Sequence, residues 1–356
     1  MAVIQDLPPE LLRRILELLV SDRRVLKDLY NATLVARAWR HPSQSLLLYH
    51  MHLQRLKLPL CTEALCSNSG CTLRLVDVNW HNAWVILRAP REHDVSVETL
   101  DLFATRRSDL DLSTLSLKLL ASAFCAIRRQ RSSLTAPHTL GLKSLRLGGD
   151  FEGHPIIPPD TKLELTQLTL DAHYLPSLAF LDSILPAAPF LTSLELWVGR
   201  NGELLPTEYT APFQTISHQL RHLAISSGLR FRLPTTRASL DVTRFVASCT
   251  SLKSLAVRVC GTAYIRDVAA AASAHLCVLE TQVTAGWDEG ENQIAELISV
   301  LELPAMAKLK RWRMYKCDFN GVLLDQEARA RWNAACRARG VEPRDHTLFF
   351  TDYPLE

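Results

Sequence analysis

Residues 142–147 read LKSLRL, and a phrase of this form occurs eight times in the chain. The copies are VETLDL (97–102), LKSLRL (142–147), LTQLTL (165–170), LTSLEL (191–196), LRHLAI (220–225), LKSLAV (252–257), LCVLET (276–281) and LKRWRM (309–314). In a β-strand the fourth and sixth positions point the same way, into a core that no single copy can close. Stacked copies close it, which predicts a sheet built from repeated strands.

Helical stretches separate most of these strands. LKLLASAFCAIRRQ follows the first phrase and LPSLAFLDSIL the third, while TRFVASC, YIRDVAAAASAHL and QIAELISVL precede the last three. This alternation predicts parallel strands joined by right-handed connections. Because the strands are short and repeat one phrase, a closed barrel or a doubly wound sheet fits poorly. The last stretch, LDQEARARWNAACRARG, is predicted to cap the array, with Ala328, Trp332 and Ala335 facing inward.

The spacing of the phrases indicates a known kind of repeat. Their fourth positions lie 45, 23, 26, 29, 32, 24 and 33 residues apart, mostly at or somewhat above the leucine-rich-repeat period of about 20–29 residues. The resemblance implies an α/β fold, a curved and irregular leucine-rich-repeat solenoid of parallel β-strands alternating with helices. Only Cys260 and Cys317 fill the position that this repeat gives to asparagine or cysteine, which predicts loose, uneven stacking.

Composition limits the class of protein. Of 356 residues, 47% are hydrophobic and 22% charged, as in ordinary globular proteins. The formal net charge of +3 is too small to indicate nucleic acid or an anionic membrane as the partner. No signal-peptide apolar region or membrane-spanning stretch is evident, and nine scattered cysteines indicate reduced, mostly buried thiols. We therefore expect a protein of the cytoplasm or nucleus with no membrane partner.

The N-terminal segment carries more apolar surface than its own helices can bury. Residues 7–19, LPPELLRRILELL, predict a helix whose apolar face spans roughly 160° of arc at 100° per residue. Packing on one core needs an apolar stripe of only about 100°. Residues 34–40, LVARAWR, belong to a second apolar-faced helix. The excess surface must meet another domain or another protein.

These motifs, followed by HPSQSLLLYHMHL, resemble the F-box of the fungal F-box-like family over residues 4–53. The resemblance implies three N-terminal helices that dock on a Skp-family adaptor protein and, through it, on the cullin of a ubiquitin ligase. Ala36 departs from the family, which usually has cysteine or serine there. Carried over by position, the adaptor-binding residues are Leu7, Pro8, Leu11, Ile15 and Leu16 in a first patch and Leu34, Val35 and Trp39 in a second.

The chain is accordingly predicted to divide into three parts. Residues 1–55 form the F-box-like helical domain, and residues 56–96 form a linker with a degenerate first repeat around VNWHNAWVIL. Residues 97–356 form the irregular leucine-rich-repeat domain with its C-terminal helical cap.

No motif in the sequence predicts catalysis. The nucleophile elbow, the P-loop, the dinucleotide fingerprint and H-E-x-x-H are absent, and no metal or other cofactor is predicted. Cys61, Cys66 and Cys71, with His81, lack the paired spacing of zinc ligands. The basic run between Lys308 and Arg344 is either a solvated face or an anion-binding patch. No nucleic-acid-binding module accompanies it, which argues against nucleic acid.

The third, fifth and seventh positions of each phrase point away from the core, where a bound protein would meet them. The predicted target-binding residues are Arg146, Glu195, Trp197, His222, Arg258, Arg311, Arg313 and Tyr315. With the F-box resemblance, this implies a substrate-recognition adaptor that presents an unidentified protein target to a cullin–RING ubiquitin ligase. Two alternatives stay open. One is a leucine-rich-repeat interaction module whose helices merely cap the array, without a role in ubiquitination. The other is an enzyme with histidines and carboxylates converging in a deep pocket.

Overall fold

The structure is a computed structural model, and it describes the greater part of residues 142–345. The described ranges are 142–148, 162–172, 177–198, 207–227, 237–284, 290–317 and 326–345, the strand segments 50–52, 72–79, 96–103, 110–111 and 151–152, and the single residues Ile15, Leu16, Asn31, Leu34, Trp39 and Ile157. The chain divides into two compact units. Residues 1–103, 118–142 and 349–356 form the first, and residues 104–117 and 143–348 form the second.

The first unit contains parallel strands β1 (His50–His52), β2 (Thr72–Asn79) and β3 (Ser96–Phe103), which lie side by side in chain order. β3 contains the phrase VETLDL, as predicted. The N-terminal residues that the structure describes, Ile15, Leu16, Asn31, Leu34 and Trp39, are all helical. The predicted boundaries at residues 55 and 96 stay predictions.

The second unit contains an open sheet of parallel strands, and it has a short separate pair, β4 (Leu110–Asp111) with β6 (Phe151–Glu152). The strands of the sheet lie side by side in chain order. They are β5 (Ser144–Gly148), β7 (Gln167–Ala172), β8 (Ser193–Val198), β9 (His222–Ser227), β10 (Ser254–Cys260), β11 (Val278–Thr284), β12 (Arg311–Cys317) and β13 (Glu342–Asp345). All seven phrases in this unit therefore form strands, as predicted. Parallel strands alternating with helices in an open sheet are compatible with a solenoid of repeats.

Helices follow β7 and each later strand up to β12. They are α1 (Leu178–Ile184), α2 (Thr207–Ser217), α3 (Leu240–Ser248), α4 (Thr262–Ala271), α5 (Gly290–Ile298) and α6 (Gln326–Ala338). Two short 3₁₀ turns, Ser299–Glu302 and Pro304–Met306, follow α5. None of the helices in the described part of the chain is long and apolar enough to cross a membrane. The predicted helix LKLLASAFCAIRRQ lies outside the described residues.

One helix and the last strand of the sheet in this unit were not predicted from the sequence. The helix is α2, which contains Pro212 in its interior, a residue that normally ends a helix. The strand is β13, whose sequence EPRD lacks the apolar phrase and contains Pro343. β13 is the last strand in the order of the sheet, a position where a missing N–H group is tolerated.

The core lies between the sheet and its helices. In the seven phrases of residues 142–314, the first, fourth and sixth positions are all buried, and none is more than 6% exposed. The predicted inward direction of the fourth and sixth positions is therefore confirmed. Each helix adds large apolar side chains, and the rings of Phe213 and Phe245 join α2 to α3 with centroids 5.6 Å apart.

The N-terminal ends of the strands, here called the leading edge, are joined by one repeated backbone arrangement. The carbonyl oxygen at the second position of a phrase accepts hydrogen bonds from the second and third N–H groups of the next phrase. The oxygen of Lys143 binds Thr166 and Gln167 at 2.8 and 2.9 Å. The carbonyl oxygens of Thr166, Thr192, Arg221, Lys253 and Cys277 repeat this at 2.8–3.1 Å, and Lys310 accepts from Glu342 at 2.8 Å. The stacking is thus regular at this edge. The side chains of Cys260 and Cys317, at the opposite ends of their strands, lie outside the described residues.

The C-terminal end of the array is closed by two tryptophans. Trp312 takes the fourth position of the last phrase and is 0% exposed. Its indole N–H donates to the hydroxyl of Thr281 on β11 at 2.9 Å. Its ring meets that of Trp332 edge to face, with centroids 5.9 Å apart. Ala328, Trp332 and Cys336 form the buried side of α6. Cys336 takes the place predicted for Ala335, because a step of four residues after Trp332 keeps to one helical face.

The Trp312–Thr281 hydrogen bond is expected to stabilise the fold measurably. Thr281→Val keeps the shape of the side chain but leaves a buried indole N–H without its partner, at a cost of about 1–3 kcal/mol. Thr281→Ser keeps the hydroxyl and serves as the control. Urea unfolding followed by tryptophan fluorescence measures both variants. Equal stability of the valine and serine variants would contradict this role of the hydroxyl.

Candidate functional site

The strand register sets charged side chains in a row across the outer face of the sheet, which is the face opposite the helices. The fifth positions of successive phrases lie in register from β5 to β12, and Arg344 on β13 continues the row. In chain order the row consists of Arg146, Thr169, Glu195, Ala224, Ala256, Glu280, Arg313 and Arg344.

Arg258 joins two carboxylates of this row. Its Nη1 donates to Oε1 of Glu195 at 2.6 Å, and its Nε donates to Oε1 of Glu280 at 2.5 Å. The second oxygen of Glu280 lies 3.7 Å from Nη1 of Arg313. We call Glu195, Arg258, Glu280 and Arg313 the charged chain. Their side chains are only 11–24% exposed, so these ion pairs are screened less by solvent than surface pairs.

Small side chains on β9 and β10 let the charged chain cross the sheet. Glu195 is on β8 and Arg258 on β10, so their contact spans two strand spacings, about 10 Å at 4.8 Å each. Between them, on β9, Ala224 lies in register with Glu195 and Ser226 with Arg258. Ala256 precedes Arg258 on the same face of β10. A long side chain at position 224 or 226 would occupy the path of the guanidinium group.

A second ion-pair group lies at the C-terminal edge of the sheet. Glu342 on β13 accepts from Nε of Arg311 at 3.0 Å and pairs with Nη2 of Arg344 at 3.0 Å. Burial is the largest single influence on the pKa of Glu342 and raises it, but the hydrogen bonds and charges of Arg311 and Arg344 together outweigh burial and lower the pKa overall. Glu342 is about half exposed, so solvent screens these pairs more than those of the charged chain.

His222 lies on β9 at the leading edge, and its imidazole is half-buried. Burial lowers its pKa, and the positive charges of Arg221 and Lys253 lower it further. At neutral pH the ring is therefore neutral and sits in a positive local field.

The structure brings together some of the predicted target-binding residues and separates others. Glu195, Arg258 and Arg313 belong to the charged chain, and Arg311 belongs to the second group. Arg146 lies in the same row on β5, and His222 lies at the leading edge. The backbones of Trp197 and Tyr315 pair with β9 and β11, while their side chains lie outside the described residues. The role of all eight in target binding stays a prediction.

Sequence reasoning missed Glu342 and the basic second positions, such as Arg221 and Lys253. Glu342 was missed because β13 was not predicted. The second positions could have been found from the repeat itself, since lysine or arginine recurs there in LKSLRL, LRHLAI, LKSLAV and LKRWRM.

Two cysteines of the helical layer, Cys249 at the end of α3 and Cys336 in α6, are buried. Burial raises the pKa of the thiols of Cys249 and Cys336 to about 12, so both stay protonated at neutral pH. In the described part of the chain, no group of three or more His, Cys, Asp or Glu side chains could hold a metal ion.

The described adaptor-binding residues differ in exposure. Ile15 is 37% exposed and Leu34 is 67% exposed, whereas Leu16 is completely buried. Trp39 is half-buried, and its indole N–H is buried without a hydrogen-bond partner in the described part of the chain. Leu7, Pro8, Leu11 and Val35 lie outside the described residues. The adaptor-binding role of all eight stays a prediction.

No protein-family model matches the chain, and no curated protein sequence matches it significantly.

Glu195 and Arg258 are expected to be energetically coupled. In a double-mutant cycle of Glu195→Gln and Arg258→Gln, we expect a coupling free energy of about 1 kcal/mol, because the pair is largely shielded from water. Urea unfolding at low and high salt measures it. Glu327 and Arg331 on α6, 3.9 Å apart and 73% and 43% exposed, form the control pair, with coupling near zero. Equal coupling in the two pairs would contradict the argument from burial.

His222 should make stability depend on pH. Its pKa is lower in the folded chain than the ordinary value of 6.5, so the unfolded chain binds a proton first as the pH falls. Stability is therefore fully present above about pH 6.5 and decreases below it until the folded-state pKa is reached. Melting temperatures measured from pH 7.5 to pH 5 should fall more for the wild type than for His222→Gln. Parallel curves for the two proteins would contradict this.

Proposed function

We propose that the protein is a non-catalytic adaptor of a cullin–RING ubiquitin ligase in the cytoplasm or nucleus. Its N-terminal helices form an F-box that binds a Skp-family protein, and the open parallel sheet is part of an irregular leucine-rich-repeat solenoid that binds the protein target. The adaptor then acts by proximity, since holding a target near a ubiquitin-conjugating enzyme raises the effective concentration of the reacting groups.

The exposure of Ile15 and Leu34 is the observation that carries this proposal. Both are helical apolar residues in the two stretches that resemble F-box motifs, and both are among the exposed large hydrophobic side chains of the described residues. Apolar surface gains about 25 cal/mol per Å² when a partner removes it from water. One side chain lies in each of the two patches that the resemblance assigns to the adaptor, so a single partner contacting both helices would cover both.

The outer sheet face supports the target-binding half of the proposal. Arginine is enriched at the centres of protein interfaces, and the charged chain holds Arg258 and Arg313 in fixed positions. Ion pairs of this kind determine which partner fits more than how tightly it binds. A preformed charged surface on a rigid sheet therefore suits recognition of one particular protein.

A second candidate is favoured by the burial of Leu16. In that alternative the protein is a leucine-rich-repeat interaction module whose N-terminal helices only cap the array, with no role in ubiquitination. Complete burial of Leu16 within the free chain fits a helix whose apolar side is already partly covered. The two candidates make opposite predictions for binding to a Skp-family protein.

The deciding experiment is capture of the purified chain on an immobilised Skp-family protein. The wild type should bind, and Ile15→Asp combined with Leu34→Asp should abolish binding, because a carboxylate forced into an apolar interface costs several kcal/mol. Both side chains are exposed in the free chain, so the variant should fold, which circular dichroism checks. Leu240→Asp, at a leucine of α3 that is 62% exposed, is the matched control and should bind like the wild type. Failure of the wild type to bind would refute the F-box role.

A further inference from the structure

The leading edge is strongly basic from β9 to β13. Its five segments are residues 218–222, 250–254, 274–278, 307–311 and 339–343, each covering the two residues before the buried first position and the two after it. Glu342 is the single acidic residue in these segments. Their lysines and arginines are Arg221, Lys253, Lys308, Lys310, Arg311 and Arg339, and their histidines are His218, His222 and His275. Among the exposed cations, we call Arg221, Lys253, Lys308 and Lys310 the basic edge.

The backbone ladder fixes the positions of these cations. Arg221 and Lys253 occupy equivalent positions on neighbouring strands, so their Cα atoms lie about 4.8 Å apart. Lys253 and Lys310 occupy the same position two strands apart, with Cys277 on the strand between them, so their Cα atoms lie about 10 Å apart. Within the described part of the chain, Arg221, Lys253 and Lys310 form no ion pair. Lys308 lies 3.3 Å from the ring of His275 and likewise meets no carboxylate there.

Two further observations indicate that this edge carries a concentrated positive potential beside an apolar anchor. Burial lowers the pKa of His222 most, and the positive charges of Arg221 and Lys253 lower it further. The electric fields of these two cations therefore overlap at His222. Phe190, in the turn that leads into β8, is 54% exposed. The side chain of Gln219 donates to the carbonyl oxygen of Ala188 at 3.2 Å, which holds the β9 segment against that turn and places Phe190 beside the edge.

We propose that the basic edge binds an acidic, extended segment of the target protein, with an apolar residue of that segment packed on Phe190. This inference rests on the target-binding half of the proposed function. In an extended peptide, side chains on one side recur about every 6.8 Å, within reach of flexible lysine and arginine side chains on strands 4.8 Å apart. Charge complementarity of this kind steers association and fixes the orientation of the partner.

A short acidic peptide fits this surface better than nucleic acid does. The charged chain on the adjoining outer face has two arginines and two glutamates, so it offers no net positive charge to a polyanion that extends from the edge over the sheet. The basic edge also runs along one narrow line of strand ends, and the formal net charge of the whole chain is only +3. A short acidic segment that lies along the edge needs only the cations of the basic edge.

Fluorescence anisotropy with the full chain tests this inference. The probe is a fluorescein-labelled peptide of alternating glutamate and threonine with one phenylalanine at its end, and the reference is the same peptide with glutamine in place of glutamate. Arg221→Glu combined with Lys253→Glu reverses two charges of the edge. Arg244→Glu combined with Arg266→Glu makes the same change of net charge at exposed residues of α3 and α4 and is the matched control.

The wild type should bind the glutamate peptide in preference to the glutamine peptide, and added salt should weaken binding. The edge variant should bind at least about tenfold more weakly, the control variant should bind like the wild type, and Phe190→Ser should bind severalfold more weakly. No binding by the wild type, or equal losses in the edge and control variants, would overturn the inference. So would tighter binding of a single-stranded oligonucleotide of equal charge, or binding restricted to a phosphoserine version of the peptide.

Capture on the Skp-family protein separates this inference from the proposed function. The edge variant keeps Ile15 and Leu34 and should still be captured, which also shows that it is folded. A chain that is captured but does not bind the peptide would refute the acidic partner alone. A chain that binds the peptide but is not captured would refute the F-box role alone.

Discussion

The paired hydrogen bonds at the leading edge are the constraint on which the sheet of the second unit depends. Because each second-position carbonyl binds two N–H groups of the next phrase, every strand begins level with its neighbour. The fourth positions of these phrases are 23 to 33 residues apart, yet the variation stays in the helices and loops and leaves the phrases in register; the pairing of β10 with β11 becomes irregular only beyond the phrase, between Arg258 and Cys260. Apolar positions therefore align in the core and polar positions align on the outer face, as expected where each repeat contacts mainly its neighbours.

The leucine phrases predicted the main elements of this unit because burial makes their pattern strict. A strand with one buried face cannot slip by one residue without exposing its leucines. LKSLRL and its copies therefore indicated both where the strands lie in the sequence and which of their side chains point into the core. Pro212 and Pro343 are the reason that α2 and β13 were not predicted from the sequence. The local conformational preference of proline disfavours a helix or a strand at these positions, but tertiary packing overrides that preference. The contact between Arg258 and Glu195 could not be predicted, since it depends on which strands are neighbours and on small side chains between them.

The outer face of the sheet and the basic edge carry their charges in different arrangements. On the outer face, arginines and glutamates already bind one another, so a partner must match a preformed pattern. On the basic edge the cations face solvent and, among the described residues, contact no carboxylate, so an acidic partner gains new ion pairs without breaking old ones. The N-terminal residues differ again, because Ile15 and Leu34 present apolar surface. One chain thus offers chemically distinct surfaces, which is what the proposed adaptor role with two partners calls for.

Pro343 has a consequence for self-association. Alternate N–H groups of a strand point to opposite sides, and that of Glu342 points to β12, since it binds the carbonyl oxygen of Lys310. The nitrogen of Pro343 therefore points away from β12, to the side on which the structure describes no further strand, and it carries no hydrogen. A strand from a second molecule would find a donor missing in the middle of β13, which disfavours end-to-end growth of the sheet into fibres.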